Sequence, residues 1–196
     1  MYGDVHEEDI NLAAANRVAA LIEADDTLDV QQTRTLDISV SFEDRIETAH
    51  DAGAVVYLSI QSNASSFADA VGVETLVSDE VAADDFAWQS AGIVQSSVVT
   101  ATEARDRGVR SQDLYLHRAQ MPAALLEIGF LSNDEERAKL LDPEYQQMIA
   151  KAVYEGIITY IDHAPPSFLG PQAVPADTSN SCLTTGRVAT RIVCYG

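Results

Sequence analysis

Apolar positions along the chain follow two rhythms, one with the spacing of helices and one with the continuous runs of buried strands. From Asn11 to Glu23, residues Leu12, Ala15, Val18, Ala19 and Ile22 recur at three and four and predict an amphipathic helix. Ser41 to Ala52 reads as a second helix, with Ser41 as N-cap and Asp44 at the third helical position. Asp84 to about Ala104 predicts a long third helix. The last helix is the clearest: Asp142 caps it, Pro143 opens it, and Tyr145, Met148, Ile149, Ala152, Val153, Ile157 and Tyr160 line one face. Ala54 to Ile60, apart from Ser59, and Ala123 to Ile128, apart from Glu127, are apolar or β-branched runs, the pattern of strands covered on both faces. Leu28–Arg34, Val71–Val77 and Leu114–Leu116 predict shorter strands. Helices alternating with buried strands imply an α/β fold, a mostly parallel sheet covered by helices on both faces.

The pattern changes at Asp162. Four of the six prolines fall between Pro165 and Pro175, so residues 163–180 read as an extended linker after an α/β domain spanning 1–162. Residues 181–196 form a cysteine-flanked tail. Two short strand-like arms around Gly186, with Cys182 and Cys194 at their ends, suit a hairpin closed by a disulfide in an oxidising compartment, against the alternative of two free thiols.

Charge narrows the function classes. Across 196 residues, 31 acidic side chains oppose 12 basic ones, a net −19. Beyond Asp162 the only charged side chains are Asp177, Arg187 and Arg191, so the acidity belongs to the folded body. Nucleic acid and anionic membrane would be repelled by it. No apolar run has the length of a membrane-spanning helix, and the first residues lack the pattern of a signal peptide.

Candidate chemistry centres on Glu127. It stands at the end of an apolar strand, followed by Gly129-Phe130-Leu131-Ser132-Asn133. A carboxylate there is costly unless it is paired, bound to metal or used chemically, and open α/β sheets bind ligands at this edge. The alternative is an ion pair with an arginine such as Arg118. A second set, Glu7, Asn11, Arg34, Asp37, Arg45, Gln61 and Asn63, falls at the edges of predicted elements, where caps and turn residues are also common.

Taken in order, Glu7-Glu8-Asp9-Ile10-Asn11-Leu12, Thr33-Arg34-Thr35-Leu36-Asp37, Ser59-Ile60-Gln61-Ser62-Asn63-Ala64, Gly72-Val73-Glu74-Thr75 and Pro122 to Asn133 resemble the zinc-dependent N-acetylmuramoyl-L-alanine amidases, from about Gly3 to Ile161. The resemblance implies cleavage of the amide between the lactyl group of muramic acid and L-alanine in peptidoglycan. It implies action outside the cell or in the cell envelope, with zinc held by two histidines and a glutamate. On the matching positions Glu7 is the zinc glutamate and Glu127 the catalytic glutamate, while Asn63 and Arg34 fall to substrate binding.

Two departures from that pattern stand in the sequence. The first zinc histidine belongs to a glycine-flanked turn ahead of Glu7, and this chain is expected to start too late to contain it. Gln61 stands where the second histidine belongs, and a neutral amide is a far poorer zinc ligand than imidazole. His6, His50, His117 and His163 offer no evident replacement set. Three functions follow from these residues: a hydrolase using Glu127, a metal-free pseudoenzyme that binds muropeptides, and an assembly protein whose tail makes the contact with a protein partner.

Overall fold

The two apolar runs pair with one another in the middle of the sheet. In the computed structural model, which describes residues 4–164 and the strand 190–195, β2 (Val56–Asn63) lies parallel to β5 (Ala123–Phe130), with Tyr57 opposite Ala123 and Gln61 opposite Glu127. The six strands take the order β1-β6-β2-β5-β3-β4, where β1 is Leu28–Gln32, β3 Val73–Ser78, β4 Asp106–Gln112 and β6 Thr190–Tyr195. Every neighbouring pair is parallel except β3 with β5, so the sheet is mostly parallel, as expected.

Alternation along β2 and β5 divides the core. Val56, Leu58, Ile60, Ala124, Leu126 and Ile128 face α1 (Glu7–Glu23), α3 (Phe86–Thr102) and α5 (Pro143–His163). Tyr57, Ala123 and Leu125 face the opposite way, onto Ile46 and Ala49 of α2 (Phe42–Asp51) and Leu116 of a 3₁₀ turn. The second cover is the smaller one, and it leaves the carboxyl ends of β2 and β5 open. Side chains of odd-numbered residues there, Gln61, Asn63 and Glu127, point into that gap because strand periodicity is two.

The helix caps follow the sequence. Ser41 accepts from Asp44 N at 3.1 Å, Asp85 from Ala87 N at 2.8 Å and Asp142 from Glu144 N at 2.8 Å. Helix α1 begins four residues before the apolar period does, with Glu7, Glu8 and Asp9 in its first turn, where acidic groups complement the helix dipole.

One expectation needs correction, and two further elements complete the fold. Leu114–Leu116 is no strand: Tyr115–Arg118 forms the 3₁₀ turn, and the strand in this region is β4, whose sequence Asp-Arg-Gly-Val-Arg-Ser-Gln has no apolar run because it is a largely exposed edge. A short helix α4 (Asp134–Leu140), capped by Asn133, follows β5. Thr190–Tyr195 lies as a strand between β1 and β2, within the sheet of the main domain. Residues 165–189, with the linker, the first arm of the expected hairpin and Cys182 of the expected disulfide, lie outside the described residues.

Candidate active site

The end of β5 is shaped by a bulge. Gln61 pairs with Glu127, but Asn63 pairs with Phe130, so β5 carries one extra residue at the point where pairing resumes. Gly129 supplies it at φ 146°, a conformation that strains any residue with a side chain. Glu136, in the first turn of α4, then accepts from Phe130 N and from Gly72 N, both at 2.7 Å. One carboxylate thereby ties the segment after Glu127 to the segment before Glu74.

Glu127 is half-buried and lines a cleft of about 440 Å³ together with Gln61, Asn63, Glu74, Phe42, Tyr115 and Asp113. Its Oε2 is shielded from solvent and has no hydrogen-bond partner among the described residues. Burial, and then the nearby carboxylates Glu7 and Glu74, push its pKa from the usual 4.5 up to about 8. These surroundings favour the protonated form of Glu127. Arg118 is not its partner: the guanidinium pairs with Glu43 at 2.8 Å, which removes the ion-pair alternative.

Glu7 is held beside this cleft by a relay. Asn11 Nδ2 donates to Glu7 Oε1 at 3.0 Å, and Ser62 Oγ on β2 donates to Asn11 Oδ1 at 2.9 Å. The first link follows from sequence spacing, Asn11 standing one helical turn after Glu7, while the second joins α1 to β2 across the fold. Asn63 donates to Glu74 at 2.8 Å and accepts from Ala64 N at 2.7 Å. Arg34 sits apart from the cleft lining. It is buried, donates to Glu8 O at 2.7 Å and pairs with Asp37 at 3.7 Å, so it anchors the start of α1 to the segment after β1.

Several residues of the site were not picked out as site residues from sequence. Glu74 obeys the same rule as Glu127, a carboxylate inside an apolar strand, and could have been found by it. Phe42 and Tyr115 stack with ring centroids 4.3 Å apart to form one wall of the cleft. Nothing in their local pattern announces that pairing, which joins two segments distant in sequence.

Fold and site together define an α/β domain with a carboxylate-lined cleft at the carboxyl edge of its central strands, the position where open α/β sheets take ligands. Residues 1–159 match the family profile of N-acetylmuramoyl-L-alanine amidases, and the chain belongs to that family. It is 34% identical over 157 residues to the uncharacterized protein YqiI of Bacillus subtilis, covering 80% of this chain and 75% of YqiI. It is 30% identical over 155 residues to the amidase LytC of the same organism, with 79% of this chain but only 31% of LytC covered. Among solved structures, an N-acetylmuramoyl-L-alanine amidase from Clostridium difficile 630 superposes with a TM-score of 0.79 at 31% identity, over 83% of this chain and 87% of that one.

The donor set decides how far zinc fits. Amidases of this type are generally zinc-dependent, and two imidazoles with a carboxylate make such a site. At this cleft Glu7 offers a carboxylate and Gln61 an amide, whose Nε2 is already directed to Ser59 Oγ at 3.1 Å. His6 pairs with Glu8, His50 accepts from Gln120 N, and His117 contacts Leu114 O and Glu80. Among the described residues no three His, Cys, Asp or Glu side chains gather as a metal would require. These residues do not fit zinc.

Proposed function

We propose that this domain acts on bacterial peptidoglycan in the cell envelope, at the amide between the lactyl group of muramic acid and L-alanine, with Glu127 as the group that handles the proton. One observation carries this: a carboxyl with one oxygen unpartnered and shielded from solvent lines an open cleft, at the position that matches the catalytic glutamate of the family, and its surroundings raise its pKa. A carboxyl whose pKa is raised toward neutrality is suited to donate its proton to the amine nitrogen as water adds to the carbonyl carbon and the carbon–nitrogen bond breaks, and then to take up the proton that the water gives up. Asn63 and Glu74 fix the neighbouring wall, and the Phe42–Tyr115 stack offers an apolar face of the kind against which a sugar ring packs. Glu7, held by Asn11, keeps negative charge near Glu127 and so helps retain that proton. Digestion of purified sacculi tests this, with mass spectrometry of the soluble products. Release of stem peptides with a new amino-terminal L-alanine is expected from the wild type and is lost in Glu127→Gln.

A second reading rests on Gln61. With an amide in place of an imidazole, the same cleft would bind muropeptides without turning them over. Sedimentation of the protein with sacculi, with no peptide released, is its signature.

A further inference from the structure

Two guanidinium groups converge on one carboxylate beside the cleft. Glu74, whose side chain is 9% exposed, accepts from Arg107 Nε at 3.1 Å and lies 3.7 Å from Arg110 Nε, while its other oxygen accepts from Asn63. Arg107 is fully engaged: its guanidinium lies 4.8 Å from the centroid of the Phe130 ring, and Nη1 donates to Val71 O at 3.4 Å. Arg110 is not. Its side chain is 55% exposed, its Nε edge faces Glu74 and Arg107 O, and among the described residues its Nη groups have no hydrogen-bond partner.

Register places this free edge. Arg110 lies opposite Leu76, and Leu76, Glu74 and Glu127 share the open face of the sheet. Two cations against one anion leave a single positive charge at the rim, in a chain whose formal charge is −19. A planar guanidinium fixed at its Nε edge presents two parallel donors to a carboxylate. With Asp113 also lining the cleft, a group of one negative charge suits the site better than a polyanion.

We propose that Arg110 anchors a carboxylate of the stem peptide, with Glu74 and Arg107 holding it in place, so that the peptide leaves the cleft toward β4. This rests on the peptidoglycan reading above. Isothermal titration of the full chain with an N-acetylmuramoyl tripeptide bearing free carboxyls, and with its fully amidated counterpart, tests it. The wild type is expected to bind the free form about tenfold more tightly. Arg110→Gln should lose that preference and bind both forms as the wild type binds the amidated one. Arg17→Gln removes the same charge from α1, on the far face of the sheet, and should keep the preference. Equal binding of the two forms by the wild type, or a preference retained in Arg110→Gln, overturns the proposal alone. Failure of the wild type to bind either form overturns the peptidoglycan reading and the proposal with it.

Discussion

At the scale of single residues, Glu127 sets the energetics of the site. Burial and the carboxylates of Glu7 and Glu74 raise its pKa in the folded state to about 8, against 4.5 for an exposed glutamate. The folded state binds the extra proton throughout that window, so this group's contribution to stability falls as pH rises, by up to about 1.4 kcal/mol per pH unit. Glu127→Gln keeps the shape and removes the titration. Urea unfolding at intervals from pH 5 to 8.5 should therefore show the variant gaining on the wild type as pH rises; a constant difference would show that Glu127 is not held protonated. Asn11 acts through others. Asn11→Ala breaks its bonds to Glu7 and Ser62 and should cost about 1–3 kcal/mol, read by the same unfolding.

At the scale of elements, β5, its bulge and α4 form one unit. Glu136 binds two backbone amides at once, so Glu136→Ala strands both donors and should cost about 3 kcal/mol, while Glu136→Gln, which keeps one acceptor, should cost less. Thermal melts of the two variants check the order. The central strands and α1, α2, α3 and α5 were legible because burial imposes period: Ala123–Ile128 and Val56–Ile60 are apolar on both faces, and α5 repeats at three and four. Strand β4 was not, since an exposed edge needs backbone partners and no apolar run. Glu127 stood out by its cost in an apolar strand, and Glu7 by resemblance alone. The union of Arg110, Glu74 and Asn63 depends on β3 running antiparallel to β5, which no local pattern encodes.

For the whole molecule, the acidity bears on both stability and substrate. Like charges on a body this acidic repel at low ionic strength, and salt screens them. Raising NaCl from 0.05 to 0.5 M should stabilise the protein by about 1 kcal/mol, near 3 °C in melting temperature; no change would place the charges too far apart to matter. Many wall polymers are anionic too, so net charge gives this domain no general affinity for the wall. Recognition then falls to the cleft, which the Phe42–Tyr115 stack and Glu127 line and beside which Arg110 lies against Glu74. The measurement that tests this most directly is an NMR titration of the protein with the N-acetylmuramoyl tripeptide. Saturable shifts concentrated on the amides of 61–63, 74–76, 110–115 and 125–127 are predicted. No shifts, or shifts centred on the α3–α5 face, would contradict the placement of the site.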